Sequence, residues 1–288
     1  MKLAILILAH KNPKQLAHLV KSLSHSETAI FIHLDAKSNR NEFQNEFDLQ
    51  SVHPEYMIQK IDIVYSSITY IEATLLLMKE AVAKECNYFV LLSGLDLPLK
   101  PIQQIVDFFR THQENDYFDY TPMPYAKLGY QGRTRTEFYN FIVRNQMETL
   151  FPPTQIEHQM SWKGKLLNYW LLIKNRGRTL RTFPMNHQPY YSSQWWNLSL
   201  ESVYYIIDFI EKNPSYYQWY QHALHPEEMF FQTILLNSPR SNKTVNNNLR
   251  YIRWQEGKKH PEMIDISELE QIGLSSDALF ARKFDLQG

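Results

Sequence analysis

Residues 3–10 read Leu3-Ala4-Ile5-Leu6-Ile7-Leu8-Ala9-His10, an unbroken apolar run that stops at a polar residue. A strand covered on both faces has this signature, because helices on either side of a parallel sheet leave no polar alternation. The pattern continues outward from it. Asn12-Pro13 opens a helix with Leu16, Leu19, Val20 and Leu23 on one face. Ala29 to Leu34 is a second buried strand, ending at Asp35, and Ile61 to Val64 reads as a short third. Tyr70 to Lys84 reads as a helix, Tyr88 to Leu92 as a fourth strand and Pro101 to Arg110 as another helix. Alternating strands and helices predict an α/β domain with a mainly parallel central sheet. Ligands of such sheets bind beyond the carboxyl ends of the strands. His33-Leu34-Asp35 and Ser93-Gly94-Leu95-Asp96 lie at such ends.

The last third returns to helical patterns at Leu200 to Glu211 and Pro226 to Leu236, with strand and loop mixed over Asn246 to Trp254. With no repeat and no Pro/Gly linker, the 288 residues read as one domain with two functional halves, 1–120 and 121–288. The chain balances 30 Lys+Arg against 30 Asp+Glu, which excludes bulk electrostatic attraction to nucleic acid. That zero hides a segment, 121–185, with ten basic and three acidic residues. Such a segment is either a solvated face or a surface for an anionic lipid, a phosphate or an acidic glycan. The single Cys86 permits no internal disulfide, and no run approaches the roughly 20 apolar residues of a membrane span. The expectation is a soluble, cytoplasmic protein, with peripheral contact to the inner face of a membrane left open.

Several common sites are absent. There is no G-x-G-x-x-G, no Walker loop, no H-E-x-x-H, no G-x-S-x-G and no Asp-x-Asp. Neither a cofactor nor a metal is expected. The positive signals begin at His225-Pro226-Glu227-Glu228. Proline followed by acids is what the first turn of a helix favours. The same carboxylates at the mouth of a site would serve as a general base. A second signal is a run of cations, Arg250, Arg253, Lys258, Lys259, Arg282 and Lys283. They make either an ordinary basic surface or, in an enzyme without a metal, the charge that neutralises a leaving diphosphate. In Gln194-Trp195-Trp196, two adjacent rings on a strand face opposite ways, one to the core and one to a cleft.

Taken in order, these pieces resemble the core-2/I-branching N-acetylglucosaminyltransferase family, which includes peptide O-xylosyltransferases and bacterial members. The resemblance runs from Ala4-Ile5-Leu6-Ile7-Leu8-Ala9-His10 and Ile32-His33-Leu34-Asp35-Ala36-Lys37-Ser38 through Leu91-Leu92-Ser93-Gly94-Leu95-Asp96-Leu97-Pro98-Leu99-Lys100. It continues in Ser193-Gln194-Trp195-Trp196, Pro226-Glu227-Glu228, Tyr251-Ile252-Arg253-Trp254 and Leu279-Phe280-Ala281-Arg282-Lys283-Phe284-Asp285. It implies a GT-A type fold and inverting transfer from a UDP-sugar without a metal, to a glycan or lipid-linked glycan acceptor. Residues 1–120 would then be the nucleotide-sugar half, and 121–288 the acceptor-binding and catalytic half. Carried over by motif, Glu228 is the catalytic base and Lys283 a diphosphate contact, with Arg282 beside it. The family's partner arginine falls at Arg250 or Arg253. Asp35 with Ala9 or His10 resembles the uridine-binding edge, and Asp96 the acid beside the donor ribose or sugar. Arg133, Arg135, Trp195, Glu227 and Trp254 are the substrate-side residues. Where the family often has Trp-Gly-Gly, this chain has Tyr65-Ser66-Ser67. A non-catalytic glycan-binding protein is one rival. The other is a glycoside hydrolase pairing Glu227 or Glu228 with Asp96 across an open cleft.

Overall fold

The apolar runs form the middle of a sheet. In a computed structural model describing residues 1–155, 160–255 and 261–285, β1 (Leu3–Ala9) is buried along its whole length. It pairs in parallel with β2 (Thr28–Leu34) on one side and β4 (Tyr88–Ser93) on the other, with Ile5 opposite Ile30 and Val90. β3 (Tyr56–Ile58) lies parallel beside β2. Beyond β4 come antiparallel β11 (Asn197–Ser199), then β6 (Asp116–Phe118) and β12 (Thr244–Asn246), in the order β12-β6-β11-β4-β1-β2-β3. One sheet thus draws strands from both halves of the chain.

Alternation along β1 feeds two cores. Leu3, Ile5 and Ile7 pack with α1 (Pro13–Leu23), α2 (Arg40–Gln50) and α4 (Ile102–Thr111). Ala4, Leu6 and Leu8 point the other way. They meet α3 (Thr69–Ala83), α7 (Leu200–Lys212), α8 (Pro214–Tyr220) and α9 (Phe230–Leu236). The basic middle segment carries β7 (Thr121–Pro122), paired with β10 (Tyr190–Tyr191), the short α5 (Arg133–Thr136), the hairpin β8 (Tyr139–Val143)–β9 (Gln146–Leu150), and α6 (Trp162–Lys174).

A second, three-stranded sheet closes the sequence on itself. β14 (Phe280–Arg282) lies between β13 (Arg250–Ile252), parallel, and β5 (Asp96–Pro98), antiparallel, which sets Arg282 opposite Asp96. α10 (Leu269–Ser275) docks beside it through Gly273, where a Cβ would stand 2.6 Å from the Leu99 carbonyl oxygen. Gly273→Ala is therefore expected to cost about 1–3 kcal/mol of stability by overpacking against backbone. A denaturant midpoint equal to wild type would show that this contact can relax.

Three sequence expectations are corrected. The third strand is Tyr56–Ile58 and not Ile61 to Val64. Residues 61–64 run on past it as loop, where the Ile61 N–H donates to His33 Nε2 at 3.2 Å. The helix read from Pro226 to Leu236 is broken at Met229 (φ −145°), giving one tight turn, Pro226–Glu228, and then α9. α2 was not expected at all, because only Phe43 and Phe47 of its residues are buried.

Candidate active site

The carboxyl ends of β1 and β2 open into a cleft of about 550 Å³. Its floor is Leu8, Ala9, His10, His33 and Asp35. Asp35 is tied down: its side chain accepts from the Lys37 N–H at 2.9 Å, and Lys37 Nζ lies 3.2 Å from its Oδ1. Its own N–H donates to the Ala9 carbonyl at 2.8 Å, locking β2 to β1 at the cleft edge.

The opposite wall is the turn before α9. His225 takes a left-handed backbone (φ 48°, ψ 51°), a conformation a non-glycine residue holds only when its surroundings over-determine it. Here they do. Its N–H donates to the Ser66 carbonyl at 3.0 Å, and Ser66 Oγ sits 3.1 Å from Nε2. Nδ1 lies 3.3 Å from Glu227 Oε1. The turn thereby presents Glu227 and Glu228 to the cleft. Glu228 Oε2 accepts from Arg135 Nη1 at 2.6 Å. Burial raises the Glu228 carboxyl above its ordinary range, and Arg135 pulls the other way. Glu227 is buried, and its Oε2 has no hydrogen-bond partner among the described residues.

The third wall comes from β14 and the Trp pair. Trp196 is fully buried against Phe231, while Trp195 lines the cleft under the Arg282 guanidinium, 4.1 Å from its ring centre. Arg282 Nη1 stands 3.1 Å from Oδ1 of the fully buried Asp96. Asp96 also accepts from the Ser93 N–H at 2.8 Å. Burial pushes the Asp96 carboxyl up, and Arg282 opposes this. Lys283 lines the cleft next to Arg282, half-buried, with no side-chain partner among the described residues. Burial, then Lys11 and Arg282, hold its ammonium below the usual lysine value. A cation so placed is short of an anion.

Of the residues picked out in the sequence, Ala9, His10, Asp35, Trp195, Glu227, Glu228, Trp254, Arg282 and Lys283 line this one cleft. Arg135 touches it through Glu228, and Asp96 stands behind Arg282. The others lie elsewhere. Arg250 is buried outside the lining, donating to Asn197 Oδ1 and to the carbonyls of Asn248 and Leu91 at 2.6–3.0 Å. Burial pulls its guanidinium down to about 10. Arg253 is held by Glu268 through two bonds of 3.1 and 2.6 Å, and Arg133 by Glu137 at 2.7 Å. Neither alternative for the partner arginine lines the cleft, and the guanidinium beside Lys283 there is Arg282. Lys258 and Lys259 lie outside the described residues. Tyr65, Tyr70, Lys37 and Tyr191 also line the cleft, and the sequence reading gave none of them a role there. Lys37 and Tyr65 stand in loops after β2 and before α3, Tyr70 at the start of α3 and Tyr191 on β10, so their side chains meet only in the folded chain. His225, Glu227 and Glu228 are the group of described residues whose ligand atoms all fall within 4.8 Å of one another, the spacing a cation would need. Arg135 already supplies positive charge to Glu228 there.

The profile described as "Core-2/I-Branching enzyme" matches residues 3–275. The chain belongs to the core-2/I-branching enzyme family. The mostly parallel, helix-flanked sheet is the architecture expected of its GT-A type domain. Among known members, the beta-glucuronosyltransferase GlcAT14A of Arabidopsis thaliana is 25% identical, over 94% of this chain and 58% of its own length. Xylosyltransferase 2 of Rattus norvegicus is 24% identical, over 88% of this chain and 26% of its own. The core-2/I-branching chain thus spans little more than half of the first relative and about a quarter of the second. Among solved structures, mouse xyloside xylosyltransferase 1 in its apo form aligns over 98% of this chain and 97% of its own, at 10% identity and TM-score 0.40. No helix among the described residues is long and apolar enough to cross a membrane.

Proposed function

We propose that this chain is an inverting, metal-independent glycosyltransferase that moves a sugar from a UDP-sugar to a hydroxyl of a glycan. The observation that carries the reading is one cleft lined by both a carboxyl raised by burial, Glu228, and an ammonium with no side-chain partner among the described residues, Lys283. Glu228 takes the proton of the acceptor hydroxyl, which attacks the anomeric carbon from the face opposite UDP. The anomeric carbon–oxygen bond to the diphosphate breaks, and Lys283 with Arg282 stabilises the departing charge. Asp35, Ala9 and His10 form the uridine edge. Asp96 acts from behind by holding Arg282. Glu227, with one carboxylate oxygen unsatisfied, takes a substrate hydroxyl, and Trp195 and Trp254 give it a sugar-facing wall.

The donor is UDP-N-acetylglucosamine or UDP-xylose, with UDP-glucuronate added by the relatives' names. The acceptor is a surface polysaccharide or a lipid-linked glycan on the cytoplasmic side, which the basic segment 121–185 brings within reach of an anionic surface. Metal independence is supported by Arg135, whose positive charge sits where a cation on Glu228 would have to go. Incubation with a panel of UDP-sugars should release UDP from one of them, and EDTA should not slow the release. UDP should raise the melting temperature where other nucleosides do not. No UDP release together with no UDP stabilisation would leave the glycan-binding reading. The hydrolase reading is disfavoured, since Asp96 is fully buried and outside the cleft lining.

The Arg135–Glu228 pair gives a sharper test. A base must be ionised, so activity should fall as pH drops through a value above the ordinary carboxylate range. In Arg135→Gln the opposing charge is gone, while burial and Glu227 still push upward. The acid limb of kcat/KM is expected to move to higher pH. A limb that stays put or moves down would remove Arg135 from this role.

A further inference from the structure

Helix α6 is apolar on two sides. Leu171 and Asn168 face the protein and are buried. Trp162, Leu166, Tyr169, Trp170 and Ile173 are 48–68% exposed. Their spacing of four, three, one and three residues places them within an arc of roughly 100° on the helix surface. Such an outward stripe is far from the singly scattered apolar residues of an ordinary surface. Trp and Tyr dominate it, the side chains that settle at a bilayer's headgroup level.

Charge says what covers it. Lys165 flanks one side of the stripe and Lys163 and Lys174 the other, and Arg176 and Arg178 follow at the helix end. All five are exposed, and residues 160–187 contain no acidic residue. Two of the cations lie over rings of the stripe, Lys163 Nζ 5.6 Å from Trp162 and Lys174 Nζ 4.9 Å from Trp170. A basic rim around an aromatic face is complementary to anionic headgroups over acyl chains.

We infer that the outward face of α6 is an interfacial anchor that seats this protein on an anionic lipid bilayer. Trp162, Leu166, Trp170 and Ile173 enter the headgroup boundary, and the lysines and arginines meet the phosphates around them. The inference deepens the proposed acceptor side, but lipid binding is measured without donor, so it stands or falls apart from catalysis. α6 also leads by chain into Arg181, which donates to the Arg135 carbonyl at 2.8 Å, so the anchor is joined to the residue that pairs with Glu228.

The test is co-sedimentation with vesicles of phosphatidylcholine alone and with about 30% phosphatidylglycerol, a content that supplies the negative surface potential. Binding is expected to the anionic vesicles only, and to weaken as salt rises. Trp162→Ser with Trp170→Ser should weaken it at least tenfold. Lys163→Glu with Lys165→Glu should do so as well, each charge being worth on the order of fivefold. Both pairs should keep the wild-type melting temperature without any ligand, which shows they are folded. No vesicle binding, equal binding to neutral vesicles, or binding indifferent to both pairs overturns the inference. So does a wild-type dimer that comes apart in the Trp pair variant, which would assign the face to a second copy.

Discussion

Glu228→Gln is expected to lower turnover by about 10³-fold, within the range general-base catalysis contributes. That is roughly 4 kcal/mol of barrier. The amide keeps the size and can still accept from Arg135 Nη1, so the turn that presents it should hold. It cannot take a proton. UDP-sugar affinity and the melting temperature should stay near wild type, because the neighbours that fix this turn are Ser66, His225 and Glu227. Single-turnover transfer and donor binding by calorimetry separate the two effects. Turnover near wild type would assign the base elsewhere in the cleft, with Glu227 the next residue to test.

Lys283→Ala is expected to cost about 10²–10³-fold in turnover, the size found when one preorganised charge or donor is lost from a developing anion. UDP binding should weaken with it, since the diphosphate is charged before and after transfer. The residue is half-buried without a side-chain partner among the described residues, so the change leaves no buried counter-ion there unpaired and should not lower stability. Lys283→Arg should recover part of the loss. An unchanged UDP affinity together with unchanged turnover would hand the diphosphate to Arg282 alone.

The parts of the fold legible in sequence were those whose burial is total. Leu3–Ala9, Thr28–Leu34 and Tyr88–Ser93 are covered on both faces, so their apolar runs are continuous. Tyr56–Ile58 is an edge strand, half-buried at all three residues, and carries a weaker signal than the more apolar loop after it. α2 buries two phenylalanines and shows a mostly polar face. The site followed the same rule. His225-Pro226-Glu227-Glu228 is local, and the break at Met229 leaves it as one tight turn whose Glu227 and Glu228 line the cleft. Lys283 and Arg250 look alike in sequence; what separates them is that Arg250 donates into three backbone and side-chain oxygens inside the sheet. That difference is set by β11 and β4, distant in the chain. Family likeness found Arg282 and Lys283, and only the pairing of β14 with β5 showed that Asp96 lies behind them.

That pairing also fixes when the cleft becomes whole. β1, β2 and β4 are made first and can pair early, but Arg282 and Lys283 are synthesised long after Asp96. Chains emerge from the ribosome from the amino end. Until β14 is made, the cleft lacks both cations of its third wall, and Asp96 lacks its guanidinium. The cleft is therefore whole only once β14 has paired with β5, and a truncation that removes β14 takes away Arg282 and Lys283 together with the buried Phe280 and Ala281 of the core.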